Sequence, residues 1–425
     1  MRDRHYDTYE RPPVLKWIPL SVQHVFAMFG ATILVPILTG LSTTAALFTA
    51  GTGTLLYVLI TGGKVPAFLG SSFAFIAPLI AISTSAQYGV AYAMGGAFCS
   101  GLFYCLVAAI IRTVGSGWLN RVLPPVVIGS VIICIGLTLA PVAVNMASTR
   151  DGVYSLVHLS IAAVTLGSTI FANLVLRGFF SVIPVLIGLA TGYLFTLFMG
   201  MAFPAYQLIV FEGVRSAAWL GLPTFAAPKF ALVPVLTFII VSLATICEHL
   251  GDTLVISKVV GRDFYKDPGL HRTLLGDGLA TSWASLWGGP PNTTYGENIG
   301  VLAITRVYSV WVTAGAAVIA MLLSFVQKFG ALIQTIPVPV MGGICMLLFG
   351  IIASAGLRTL VESGVDYNCK RNLTISSVIL CVGIGGAVLE FSLREGLVFK
   401  LGSVALATVV GVVLNLVLPP SRKSV

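Results

Sequence analysis

Four acidic residues, Glu248, Asp252, Asp277 and Glu297, stand inside stretches that are otherwise apolar. A charged group near the centre of a bilayer costs at least about 2.5–3.5 kcal/mol on insertion scales, so each needs a physical reason to be there. Glu248 and Asp252 are spaced i, i+4 and share one face of a helix. No Lys or Arg lies one turn away within that stretch, the nearest along the chain being Lys258, so an intrahelical ion pair is not available. The pair is expected to face a polar cavity with at least one carboxyl spending time protonated, because burial disfavours the charged form. A carboxyl that takes up a proton and also touches a ligand is what proton coupling needs. Structural hydrogen bonding is the alternative role.

Glu297 lies in a polar run, Gly288 to Gly300, that includes Pro290, Pro291, Tyr295, Gly296 and Asn298 and sits between apolar stretches. A second run, Pro66 to Pro78, is short, rich in Gly and Ser, and closed by proline. Glycine and proline weaken helical bonding. Such backbone survives at membrane depth only where it is buried in protein or lines a cavity. Each run is expected to supply an extended stretch followed by a half-helix. A half-helix aims unpaired N-terminal N–H groups at the cavity. Gly296 lets a ligand approach the backbone, and Phe73 offers an aromatic face and a backbone N–H. Two carboxylates as acceptors, two amides as donors and an aromatic wall suit a small planar ring with alternating N–H and C=O groups. They suit a phosphate or sugar acid poorly, since no Arg or Lys is expected within the membrane. A Glu297 carboxylate that merely caps its own half-helix is the alternative.

Gln23 and His24 sit within the first apolar stretch, where His24 is expected to support the site or to make a buried helix contact. Asp277, in Leu275-Gly276-Asp277-Gly278, reads equally as support or as structure. His271 and Arg272 fall at a boundary, and His5 and His158 belong to no constellation. The seven cysteines form no CxxC pair and are expected to pack rather than bind metal. No HExxH, GxSxG elbow, Walker loop or dinucleotide fingerprint is present, so neither an enzyme, a metal nor a cofactor is expected.

The elements that must position these residues follow from composition. Of 425 residues, 57% are hydrophobic and 9% charged, with a mean hydropathy of +0.99. Soluble domains are about 25% charged, and disorder needs low hydrophobicity. An all-α polytopic membrane protein is expected. Fourteen spans can be drawn, beginning near Leu15, Ala45, Pro66, Val90, Val122, Leu156, Phe179, Phe230, Leu270, Pro291, Tyr308, Leu332, Asn372 and Gly396. With a cytoplasmic N-terminus, 18 of the 24 Lys and Arg fall inside, among them Arg2, Arg4, Arg422 and Lys423. Arg150, Arg215, Lys229, Lys328, Arg394 and Lys400 fall outside. This positive-inside bias explains the net charge of +9 without a nucleic-acid partner. The first dozen residues carry three acids, and no small-residue cleavage site follows a short apolar core, so a cleaved signal peptide is not expected.

The longest outside connection, 204–228, separates residues 1–203 (spans 1–7) from 229–425 (spans 8–14). Pro125-Val126-Val127-Ile128-Gly129 with Gly136 has the spacing of Pro339-Val340-Met341-Gly342-Gly343 with Gly350. Gln23-His24 and Glu248-His249 fall in the first span of each half, and the two broken runs fall in the third. Because seven is odd, the second copy must enter with opposite orientation. Inverted repeats with broken helices at matching positions point to a transport site at the midplane; chance alignment of apolar helices is the alternative.

Glu297-Asn298-Ile299-Gly300-Val301-Leu302-Ala303-Ile304-Thr305-Arg306 matches the motif (Q/E/P)-N-x-G-x-x-x-x-T-(R/K/G) of the nucleobase–ascorbate transporter family, and Gln23-His24 matches its second short motif. The resemblance runs from about Arg11 to Pro420. It is nearest to the bacterial uracil permeases through Gln23 to Gly30, Gly70 to Phe75 and Pro291 to Asn298. It implies fourteen helices in two inverted repeats, with a core domain (spans 1–4 and 8–11) and a gate domain (spans 5–7 and 12–14). It implies uracil:proton symport in the inner membrane, both termini cytoplasmic, and a homodimer. By the same resemblance Glu248 and Glu297 would bind the base, the N–H groups of Phe73 and Gly296 would meet its carbonyls, Tyr295 would line the pocket, and His24 would support it. Position 252 is Asp where some uracil carriers have His, and Phe349 stands where some have Tyr. A purine carrier of the same family and a passive nucleobase channel are the rival readings.

Overall fold

The computed structural model describes residues 6–394 and 397–419, with the side chains of all but 179, 182, 205, 391–394, 397 and 398. Arg2, Arg4, His5, Pro420, Arg422 and Lys423, and the side chain of Arg394, lie outside what is described. Among the described residues eight helices are long and apolar enough to cross a membrane. They are α1 (Val14–Thr39), α2 (Thr43–Ile60), α4 (Val90–Val114), the nearly continuous α5 (Pro125–Thr138) and α6 (Ala140–Ser148), α7 (Leu156–Val175), α8 (Pro184–Ala202), α9 (Leu232–Val260) and α14 (Val338–Glu362). The other described α-helices of eight residues or more are α3 (Ile76–Ser83), α10 (Leu270–Leu286), α11 (Gly296–Thr305), α12 (Val310–Leu323), α13 (Gln327–Gln334), α15 (Lys370–Ile384) and α16 (Ser403–Val417). The protein is a mostly helical, polytopic membrane protein.

Local sequence sets the boundaries. α1 stops where Gly40 turns left-handed (φ 72°) and its N–H caps the Pro36 carbonyl. Ser42 then starts α2 by accepting from the Ala45 N–H at 3.2 Å. Boundaries that differ from the sequence expectation include the following three. The span drawn from Val122 starts at Pro125, because Pro124 is extended and Pro125 suits the first helical turn. The span drawn from Leu332 is divided into α13 and α14, since Pro337 bars helical geometry at the residue before it. The span drawn from Gly396 begins at Ser403 instead. The preceding Leu389-Glu390-Phe391-Ser392-Leu393-Arg394 alternates apolar and polar residues, a strand period, and forms β3 (Leu389–Arg394) of a hairpin with β4 (Leu397–Leu401).

Two groups of helices emerge. α10 lies against α4 and α2, α12 against α2 and α1, and α9 against α4. In the second group α14 packs on α5, α6 and α7, and α5 packs on α15 and α16. The α4–α10 contact is close because it is made by glycine: a Cβ at Gly278 would fall 2.7 Å from the Gly101 carbonyl oxygen. Small residues that let backbones meet are the usual basis of helix association in lipid.

Both broken runs hold extended backbone at the junction. β1 (Leu69–Ser71) precedes a 3₁₀ turn at Phe73–Phe75 and α3; β2 (Asn292–Thr294) precedes α11. The strands pair antiparallel, Leu69 with Thr294, Gly70 with Thr293 and Ser71 with Asn292. Flanking bonds extend the ladder, Tyr295 N–H to the Phe68 carbonyl at 3.0 Å and Ser72 N–H to the Pro291 carbonyl at 2.8 Å. Side chains from neighbouring helices serve further strand groups: Thr54 Oγ1 accepts from the Leu69 N–H at 2.9 Å, and Thr281 Oγ1 donates to the Asn292 carbonyl at 2.8 Å. The Asn292 side chain in turn ties the strand to α2 by donating to the Thr49 carbonyl at 3.0 Å. Non-helical backbone thus finds partners inside protein, as a low-dielectric setting demands.

Candidate substrate site at the crossed half-helices

The strand pair brings the start of α11 against the middle of α9. Asp252 Oδ1 lies 3.9 Å from the position a Cβ would take on Gly296. Gly296 is exposed and Glu297 half-buried, although both sit deep in the fold. Glu248 is 8% exposed, and its Oε2 is buried without a hydrogen-bond partner. Glu248, Asp252 and Glu297 lie within electrostatic reach of one another. Among the described residues none of the three forms an ion pair with Lys or Arg. Glu297 stands in the first turn of α11, whose start has no side-chain cap bond.

A cavity of about 180 Å³ opens onto this point, walled by Gly296, Glu297 and Gly300 of α11, Phe26 and Ala27 of α1, and Leu348 of α14. Glu248 and Asp252 are not among its walls; they stand behind Gly296. Larger space exists elsewhere, about 480 Å³ beside Phe29, Leu189 and Phe329, but it presents no polar surface and cannot orient a polar ligand.

The remaining residues singled out from sequence fall as follows. Asn298 Nδ2 is 3.0 Å from His24 Nδ1 and 3.2 Å from the His24 carbonyl, so α1 braces the first turn of α11. Gln23 is buried one residue earlier. Phe73 meets Phe349 edge-to-face, with centroids 5.7 Å apart at 83°, across the two helix groups. Tyr295 lies with its ring over Gly70 and its hydroxyl between Thr32 Oγ1 (3.2 Å) and the Ser71 carbonyl (3.1 Å). Its polar end is therefore used to fasten the crossing. Asp277 is fully buried in α10, with Oδ2 3.1 Å from His249 Nδ1. The sequence reading noted His249 only as half of a repeated dipeptide and did not join it to Asp277. Nothing in the local pattern links positions 28 residues apart on separate helices.

In chemical terms the site offers acceptors from three carboxylates and donors from two half-helix N-termini, whose first-turn N–H groups have no intrahelical partner. Fixed cations are missing from it among the described residues. The arrangement fits a small neutral molecule with both donors and acceptors.

Known proteins agree with this architecture. The transmembrane domain of the cyanobacterial bicarbonate transporter BicA superposes with a TM-score of 0.64 at 15% identity, covering 97% of this chain and 100% of that one. Murine Solute Carrier 26 family member A9, an anion transporter in its inward-facing state, gives 0.69 at 11% identity, covering 96% and 69%. At such identities the likeness concerns the fold alone. In sequence, the uracil permease of Bacillus caldolyticus is 54% identical over 421 residues (97% of this chain, 94% of that protein). The uracil permease of Escherichia coli is 44% identical over 425 residues (98% and 94%), and its putative pyrimidine permease RutG is 40% identical over 420 residues (98% and 92%). Residues 15–391 match the model Xan_ur_permease, described as a permease family, and the chain belongs to that family, the nucleobase:cation symporter 2 family.

Proposed function

We propose that this chain is a uracil:proton symporter of the cytoplasmic membrane, working by alternating access. The observation that carries the reading is the β1–β2 crossing, which sets the half-helix starts at Phe73 and Gly296 beside Glu248, Asp252 and Glu297 with no basic partner. Uracil is planar and neutral, with two N–H donors and two carbonyl acceptors, and matches carboxylates and backbone amides in alternation. The names of the 54% and 44% identical relatives support the same substrate.

In this reading Glu248 and Glu297 accept from the ring N–H groups, the N–H groups of Phe73 and Gly296 donate to its carbonyls, and Phe73 closes the face. Tyr295 holds the crossing, and Asn298 with His24 and Gln23 holds α11 in place. A proton on Glu248 or Asp252 removes one buried negative charge and favours the loaded state, since like charges in low dielectric oppose each other. The chain would span the membrane fourteen times in two inverted repeats, 1–203 and 229–425, with cytoplasmic termini. Spans 1–4 and 8–11 would move as a core against spans 5–7 and 12–14, with Phe73–Phe349 at the seam, and two copies would form a dimer.

The test is uptake of labelled uracil into proteoliposomes with and without an inward proton gradient, with excess unlabelled uracil, xanthine or urate. Accumulation driven by the gradient and blocked by uracil alone is expected. Uptake indifferent to the gradient would remove the coupling, equilibration without accumulation would favour a passive channel, and block by xanthine would make the protein a purine carrier.

A further inference from the structure

Behind the three carboxylates lies a second ionisable group that the function above leaves unused. His249 and Asp277 are both fully buried, with Nδ1 and Oδ2 3.1 Å apart. The glycines flanking Asp277 admit a tyrosine on either side. A Cβ at Gly276 would fall 2.7 Å from Tyr57 Cδ2, and one at Gly278 would fall 2.5 Å from Tyr104 Cβ. Tyr104 gives its hydroxyl to Thr245, while the buried Tyr57 hydroxyl has no partner. The titratable groups facing the pair are Tyr57 of α2, Tyr104 of α4, and Glu248 and Asp252 of α9.

The hydrogen bonds around the ring define its protonation states. Nε2 lies 3.1 Å from Thr273 Oγ1, whose own hydrogen goes to the Leu270 carbonyl at 3.1 Å, and 3.4 Å from Thr253 Oγ1; with a hydrogen on Nε2 both hydroxyl oxygens can accept it, and Nδ1 is open to a proton. Nδ1 faces Thr294 Oγ1 at 3.5 Å and the Asp277 carboxylate. Neither Asp277 oxygen has a hydrogen bond of good geometry, though both are buried. A proton on Nδ1 supplies one, and turns an isolated buried carboxylate into an imidazolium–carboxylate pair. Thr294, the last residue of β2, stands against α9 between the Asp252 carboxyl, with which its hydroxyl interacts, and the ring, 3.5 Å from Nδ1.

We propose that the His249–Asp277 pair holds the coupled proton behind the substrate site, received from Asp252 through Thr294. This rests on the proton-coupled reading above. In the step, the Asp252 carboxyl gives its proton to Thr294 Oγ1 as Thr294 gives its hydrogen to His249 Nδ1. Asp252 becomes a carboxylate, Thr294 is unchanged, and His249 becomes imidazolium beside the Asp277 carboxylate. Net charge is conserved: the neutral Asp252 carboxyl and His249 ring become a carboxylate and an imidazolium, the new positive charge is met by the Asp277 carboxylate, and Asp252 is left free to accept. His249 acts here as a positioning residue for the proton and does not touch substrate.

The experiment uses the full chain in proteoliposomes and reads equilibrium binding of labelled uracil against pH, gradient-driven accumulation, and uracil counterflow, which moves no net proton. Where one proton binds with the substrate, affinity changes by up to about tenfold per pH unit. His249→Gln keeps an N–H for Asp277 but cannot titrate. It is expected to keep counterflow, flatten the pH dependence of binding and lose accumulation. Asp277→Asn, which preserves shape, is expected to flatten the same dependence and serves if His249→Gln does not reach the membrane. A wild-type pH slope and accumulation in both variants would overturn the proposal, as would loss of counterflow in both, which would make the pair structural. A wild type with no pH slope or gradient dependence would instead remove proton coupling itself, and the proposal with it.

Discussion

Gly70→Ala probes the crossing that the whole site depends on. The added Cβ would fall 2.5 Å from Tyr295 Cε2 and 2.6 Å from its hydroxyl oxygen. The ring cannot yield freely, because it is 3% exposed and its hydroxyl is bound to Thr32 and Ser71. Overpacking a close-packed interior costs about 1–3 kcal/mol, and two displaced hydrogen bonds contribute about 0.5–1.5 kcal/mol each. The sum, about 2–6 kcal/mol, falls on the strand pair that carries Phe73 just beyond one strand and Gly296 just beyond the other. Thermal unfolding of the purified protein in detergent, followed by uracil uptake, reads both consequences. The midpoint is expected to fall by several degrees and uptake to drop. Gly167→Ala is the control: it lies on α7 with nothing within 4 Å of the new methyl, and is expected to be neutral or slightly stabilising. A Gly70→Ala protein with wild-type midpoint and uptake would refute the claim that Tyr295 clamps the crossing.

Three other outcomes follow from named contacts. Asn298→Ala strands one buried acceptor, His24 Nδ1, and removes a second donor from the His24 carbonyl, which keeps its helical partner, at about 1–3 kcal/mol for the lost buried partner; a lower unfolding midpoint with weakened uracil binding is expected, and an unchanged midpoint would count against bracing by α1. On the cytoplasmic side in the proposed topology, the Thr8 backbone N–H and the Arg262 guanidinium (2.6 Å) hold the Asp7 carboxyl below the usual carboxylate range. A carboxyl depressed by folding stabilises above its unfolded pKa and loses that contribution as pH falls through the folded value, so the protection of residues 6–10 against hydrogen exchange, corrected for the intrinsic rate at each pH, should fall on acidification; the effect is within about 1 kcal/mol for so exposed a pair. Asp7→Asn should show the lower protection at every pH, and retained protection would refute the tether.

Much of the fold could be read from local chemistry. Runs of apolar residues long enough to span lipid gave the helices, and Gly288, Pro290 and Pro291 marked the break before α11 because no helix tolerates them there. Less legible were features decided by another part of the chain. The register that pairs Leu69 with Thr294 depends on how two distant segments meet, and neither shows a strand pattern alone. Leu389 to Arg394 carry a period of two, but Arg394 is assigned to an outside connection before the span drawn from Gly396, and the hairpin is decided by the partner strand. At the site, the intramembrane acids stood out because charge in lipid is costly. Their partners did not, since His249 and Thr294 meet Asp277 and Asp252 only through packing of α9, α10 and the start of α11. Tyr295 illustrates the same limit: a tyrosine beside Gly296 reads as a pocket wall, whereas its hydroxyl is committed to Thr32 and Ser71.

Equilibrium binding of labelled uracil to the purified protein, wild type against Glu297→Gln, bears most directly on the claim that a nucleobase sits where α11 begins. A hydrogen bond to a charged group contributes about 1.5–3 kcal/mol, so the substitution is expected to weaken binding by about 10–100-fold while the protein stays folded. Equal affinity in the two proteins would contradict the account.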